Sequence, residues 1–160
     1  ETGREVVGTP DCDYVLVGFD YEINYEKISL GLQAILSGAQ FIACNREANY
    51  PAENGMIKPG CGAIVAAVEA ASQTSPKYVV GKPEINLLRF ISEKAQCSSE
   101  EMLIVGDTLE SDIEMANRFS SPSVFIKRGR EIKYNIVKPT ISINYLPDLP
   151  EILAISQNTK

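Results

Sequence analysis

Two closely spaced acids and an upstream lysine are the residues in this sequence best suited to chemistry. Four apolar residues, Met102–Val105, read as a buried strand, and Gly106 then lets the chain turn sharply with no side chain in the way. Asp107 falls just past the carboxyl end of that strand, where open α/β sheets place their ligands, and Asp112 follows in the first turn of the next helix. Two acids converging at a strand end suit a hard cation such as Mg²⁺, which takes oxygen ligands and usually keeps several waters. The same pair also suits a plain turn carboxylate and a helix N-terminal acid favoured by the dipole. Lys82 adds a third group. It lies in Gly81-Lys82-Pro83, between a strand-like Lys77–Val80 and a helical pattern. Backbone N–H groups at a helix start attract phosphate, and an ammonium adds a point charge. A Gly-Lys-Pro at a strand–helix junction, one such unit ahead of Gly-Asp-x-x-x-x-Asp, points to phosphoryl chemistry more strongly than a lone surface lysine does.

The composition removes several alternatives. The chain has no histidine, so Ser-His-Asp and Cys-His catalysis, His-ligated zinc and imidazole proton shuttling are excluded. A formal charge of −6 argues against nucleic acid, whose backbone is bound through clustered Lys and Arg. No apolar run approaches the roughly 18–20 residues that span a bilayer, and no signal-peptide pattern is present. Cys12, Cys44, Cys61 and Cys97 are widely spaced without a C-x-x-C pair, which suits free thiols in a reducing cytoplasm. A cytoplasmic protein, bound neither to membrane nor to nucleic acid, is expected.

The elements that must position the acids alternate between strand and helix. Tyr14–Gly18 reads as a strand, and Asn24–Ser37 as a helix with Ile28, Leu32, Ile35 and Leu36 on one face and Gly38 as its stop. A strand at Gln40–Cys44 precedes a loop rich in breakers, with Pro51, Asn54-Gly55 and Pro59-Gly60. Ala63–Ala71 is a small-residue helix. Pro83 is expected to open the helix that shows Leu87, Leu88 and Ile91. Ser98 and Glu101 have capping-box spacing ahead of the strand Met102–Val105. A helix near Glu110–Phe119, strands at Ser123–Lys127 and Thr140–Asn144 and a last helix near Leu149–Ser156 follow. This alternation predicts an α/β fold with a mostly parallel sheet covered by helices. The polar Gln73–Pro76 stretch divides the chain into lobes of residues 1–75 and 76–160.

Gly81-Lys82-Pro83, followed by Val105-Gly106-Asp107-Thr108-Leu109-Glu110-Ser111-Asp112-Ile113, resembles the third and fourth motifs of the haloacid dehalogenase (HAD) superfamily. Upstream, the stretch from Tyr14 to Asp20, Asn24-Tyr25-Glu26-Lys27, Phe41–Asn45 and Pro59-Gly60-Cys61-Gly62 look like the branch of 4-nitrophenylphosphatase, phosphoglycolate phosphatase and NagD. The resemblance runs from about Asp13 to Ile113. It weakens after Phe125, where Lys127-Arg128-Gly129-Arg130 stands in place of an apolar strand ending in Thr-Gly.

The resemblance implies a Rossmann-like three-layer core at 76–160 and an α/β cap lobe at 1–75, both incomplete on the N-terminal side. It implies a Mg²⁺-dependent phosphomonoester hydrolase of small phosphorylated metabolites, working through an aspartyl-phosphate. By matching positions Lys82 would neutralise the phosphoryl oxygens, Asp107 would bind Mg²⁺, and Asp112 would support the metal's water shell or the lysine. Asn45, with Arg46 and Tyr50, matches cap residues that reach the substrate. The first two motifs of the family, an Asp-x-Asp-Gly after an apolar strand and a strand ending in Ser or Thr, are expected upstream of this chain, so the isolated chain should be inactive. Asp11-Cys12-Asp13 precedes a strand and would sit at the wrong edge. Two other readings remain: a catalytically silent binding module, and a compact capless phosphatase with Asp20 as nucleophile. The basic cluster Lys127, Arg128, Arg130 and Lys133 reads as a solvated loop or an anion-recruiting one. A homodimer through the cap, or association with the N-terminal part, is the expected mode of assembly.

Overall fold

Asn24 sets the first helix. Its side chain accepts the Lys27 N–H at 3.0 Å, satisfying one of the donors that a helix start leaves open. Helix α1 (Tyr25–Leu36) then runs to Ser37 and stops at Gly38, whose φ is +106°. In this computed structural model, which describes residue 3 and residues 5–131, 136–151 and 153, the chain forms two compact units, Glu1–Gly81 and Lys82–Lys160.

In the first unit, β1 (Tyr14–Val17), β2 (Gln40–Ala43) and β5 (Tyr78–Val79) form a parallel sheet in the order β1-β2-β5, with Val17 opposite Ala43 and Ile42 opposite Tyr78. The pairing of β5 with β2 carries the unit to Gly81, beyond the Gln73–Pro76 stretch. The breaker-rich segment is more ordered than a loop. There β3 (Asn49–Pro51) and β4 (Ile57–Pro59) form an antiparallel hairpin, whose turn holds Asn54 at φ +58° and Gly55 at φ +72°. Asn-Gly is the dipeptide that tolerates such a turn. Helix α2 (Cys61–Ser72) follows, and Val17, Ile35, Phe41, Ala43, Cys61, Val65 and Val68 make the core. On α1 the buried positions are Ala34 and Ile35, so Leu36, about 100° further round the helix, is 65% exposed instead of joining the face.

In the second unit, Lys82 and Pro83 lie in a turn with a cis bond between them, and helix α3 (Asn86–Ala95) begins only at Asn86, so Pro83 does not open it. Of the three apolar residues expected inside, Leu88 is buried while Leu87 and Ile91 are exposed. Strands β6 (Ile104–Gly106), β7 (Ser123–Ile126) and β8 (Ile141–Ile143) form a parallel sheet in that order. Ser98 ties to Glu101 as its spacing predicts, with the Ser98 N–H donating to Oε2 at 2.8 Å. Helix α4 (Glu114–Phe119) joins β6 to β7. Leu88, Ile113, Met115, Ala116, Val124, Phe125 and Ile143 are buried here.

The fold is thus mixed α/β with parallel sheets. Residues 149–151 and 153 are helical, whereas the rest of the helix expected over 149–156, and Lys133 of the basic cluster, lie outside the described residues. The four cysteines are free thiols. Among the described residues no helix is long and apolar enough to cross a membrane.

Candidate active site

The second unit brings Lys82, Asp107 and Asp112 together through one carboxylate. Strand β6 ends at Gly106, and the chain enters a π-helical turn at Leu109–Ile113 before α4 takes over. Such wide turns recur at functional sites. Here the N–H groups of Asp112 and Ile113 both donate to the Thr108 carbonyl, at 3.0 and 3.3 Å, which folds Asp112 back over the end of β6. Its Oδ2 accepts the N–H groups of Asp107 and Thr108, each at 3.1 Å, and its Oδ1 accepts Lys82 Nζ at 2.5 Å. Asp112 is 7% exposed, whereas the Lys82 side chain is half-exposed. A β-carbon at Gly106 would overlap the β-carbon and carboxylate of Asp112. Glycine is required there by the close approach of the two segments.

Asp107, at the end of β6, is oriented differently. Its Oδ2 lies 2.5 Å from Arg128 Nη2, and its carbonyl accepts Arg130 Nη2 at 3.3 Å. Arg128 and Gly129 form a turn in the left-handed region, at φ +53° and +72°, and Arg130 Nε donates to the Lys127 carbonyl at 3.0 Å. Two members of the basic cluster are therefore bound to Asp107 and are not simply a solvated loop. This pairing was not anticipated, because it follows from the pairing of two strands and not from local sequence. β7 runs parallel beside β6 with Gly106 opposite Phe125, so the residues after both strands emerge side by side. Charges of opposite sign at those two ends will meet.

Asp107 offers hard carboxylate oxygen at a partly exposed strand end, which fits Mg²⁺ as one protein ligand among waters. Among the described residues no group of three or more His, Cys, Asp or Glu side chains is arranged to hold a metal. Both oxygens of Asp112 are engaged by the lysine and the turn.

The first unit carries a separate feature. Phe19, Tyr21 and Tyr50 form an aromatic cluster with edge-on contacts at 4.6 Å (Phe19–Tyr21) and 5.6 Å (Phe19–Tyr50), and the two tyrosine hydroxyls lie 2.9 Å apart. The hydrogen bond to Tyr21 raises the Tyr50 phenol above its ordinary pKa. These rings line an open cavity of about 240 Å³ together with Asp20, Ile23, Lys58 and Ile64. Asn45, Glu47 and Cys61 line another beside the same rings. Asn45 Oδ1 accepts the Glu47 N–H at 3.0 Å, and Arg46 is held by Glu69 at 2.7 Å. Asp20 is engaged on both oxygens. The Lys27 ammonium at 2.7 Å, chiefly, and the Glu22 N–H hold its carboxyl below the usual range.

Residues 79–150 match the HAD-hydrolase-like family model. The acid sugar phosphatase of Staphylococcus aureus is 29% identical over 158 residues, covering 96% of this chain and 59% of that protein. A 4-nitrophenylphosphatase from Thermotoga maritima superposes with a TM-score of 0.81 at 28% identity, covering 91% of this chain and 57% of the other. A p-nitrophenyl phosphatase from Archaeoglobus fulgidus does so at 0.78 and 28%, with 88% and 56% covered. The chain therefore spans somewhat more than half the length of these relatives.

Proposed function

Because this chain belongs to the HAD-like hydrolases, in the branch of the p-nitrophenyl and acid sugar phosphatases, we propose that it carries part of a phosphomonoester hydrolase site for small metabolites. The observation that carries this reading is the single buried carboxylate of Asp112, which holds both the Lys82 ammonium and the turn that bears Asp107. Lys82 is the group that binds the phosphoryl oxygens and offsets the charge that develops on them. Asp112 is its positioning residue, fixing the ammonium without touching substrate. Asp107 supplies a carboxylate ligand for Mg²⁺, and the bound ion would act as a Lewis acid toward the phosphoryl group. The sequence contains no Asp-x-Asp-Gly, so the nucleophile for an aspartyl-phosphate step is not assigned to any residue here, and the 160-residue chain by itself is expected to be inactive.

The aromatic cavity of the first unit, taken by itself, suits a small organic group. Phe19, Tyr21 and Tyr50 offer apolar faces and two hydroxyls, and Asn45 adds an amide. Arg46 is committed to Glu69, which leaves Asn45 and Tyr50 as the polar contacts of choice. Asp20, tied to Lys27 and the Glu22 N–H, is assigned a local structural role and not that of a nucleophile. Free thiols agree with a cytoplasmic setting.

The test is hydrolysis of 4-nitrophenyl phosphate by the native gene product, with and without Mg²⁺. Asp107→Asn is expected to lower kcat/KM by roughly 100-fold or more, the scale of removing one electrostatic group from such a site. Activity unchanged by that substitution would overturn the assignment and favour a binding module that does no chemistry.

A further inference from the structure

We propose that Arg128 is a built-in counter-cation for Asp107, so that divalent-cation binding at this carboxylate requires the chain's own guanidinium to leave. The inference rests on the reading of Asp107 as a cation ligand, and it concerns a loop where the sequence departs from the apolar, Thr-Gly-ending pattern of the phosphatases it resembles. Three observations carry it. Arg128 Nη2 sits 2.5 Å from Asp107 Oδ2, placing a cation on the same carboxylate a metal would bind. The arginine is also aimed by the backbone, because the parallel register of β6 and β7 brings the two strand ends side by side and the Arg128-Gly129 turn reverses the chain beside Asp107. Arg130 braces the same turn, bonding the carbonyls of Lys127 and of Asp107 itself. With Asp112 already paired to Lys82, both acids of the site have internal cations.

A guanidinium and a divalent cation on one carboxylate repel at close range, so the two compete. The competition is open to exchange. The side chains of Arg128 and Asp107 are 67% and 36% exposed, and pairs this accessible to solvent are weak. Arg128 thus tunes cation affinity downward and does not close the site.

The experiment titrates the isotope-labelled 160-residue chain with MnCl₂ and follows paramagnetic broadening of the Gly106, Asp107 and Thr108 amide signals. Arg128→Ala and Arg128→Gln are both expected to lower the apparent Kd by about three- to fivefold, the scale set by an exposed ion pair. Arg130→Ala, which removes bonds to carbonyls only, is expected to shift it less. Asp107→Asn is expected to abolish the broadening in every background. If Asp107→Asn abolishes it but neither Arg128 variant tightens binding, the counter-cation is refuted while Asp107 stands as a ligand. If Asp107→Asn binds Mn²⁺ as the parent does, the ligand reading itself fails. The glutamine variant keeps a long polar side chain, so the question stays answerable should the alanine variant fold poorly.

Discussion

Asp112→Ala is expected to lower the stability of the second unit by about 2–4 kcal/mol and to loosen the turn after β6. The carboxylate is nearly buried and takes three donors at once. Truncation removes the acceptor of the part-buried Asp107 and Thr108 N–H groups, and a donor left unpaired costs up to about 1–3 kcal/mol where water cannot replace the lost acceptor. The Lys82 ammonium adds little to the loss, since it is half-exposed and water replaces its partner. Asp112→Asn separates the two contributions. It keeps an acceptor for the N–H groups and drops the charge, so it should lose well under half as much. The check is the urea midpoint of the two variants, with amide hydrogen exchange at Asp107 and Thr108. A midpoint for Asp112→Ala within error of the parent would refute the account of the turn.

Phe41→Ala is expected to be larger still, at about 3–5 kcal/mol. Phe41 lies on the central strand of its sheet and is 2% exposed, in one cluster with Val17, Ala43, Val65 and Val68. Removing the ring loses its transfer free energy and leaves a cavity that two helices and a sheet cannot close. Phe41→Leu keeps most of the volume and should lose less than half as much. Thermal unfolding followed by circular dichroism tests both. A melting temperature for Phe41→Ala equal to that of Phe41→Leu would show that the site collapses without a cavity. The effect belongs to the first unit, so the Arg128–Asp107 pair should survive in whatever remains folded.

The parts of this structure that could be read from the sequence are those governed by local rules. Asn24 before an apolar-periodic run gave the start of α1, Gly38 gave its end, and Ser98 with Glu101 gave a cap. The strand ahead of Asp107 was legible only in part: Met102–Val105 reads as a buried strand, whereas β6 runs from Ile104 to Gly106 and leaves Leu103 and Val105 exposed. The hairpin at Asn49–Pro59 was missed although Asn54-Gly55 marks it, since its strands are too short to show alternation. Pro83 fitted a helix start by rule, yet the helix begins at Asn86; the choice between turn and helix is made by surroundings that a propensity does not contain. Arg128 was the largest omission. Nothing near it in sequence refers to Asp107, and only the adjacency of two parallel strands brings them together.

The close approach of Gly106 to Asp112 also constrains how the sequence can drift. A methyl at 106 collides with the β-carbon of 112 as well as with its carboxylate, so alanine at 112 gives no relief. Only glycine there would make room, and glycine inside a helical turn costs about 1 kcal/mol by itself. The two positions are therefore epistatic: each single step away from the present pair is harmful, and the harms do not add. In a deep mutational scan, position 106 should tolerate substitution only in backgrounds where residue 112 has already lost its side chain.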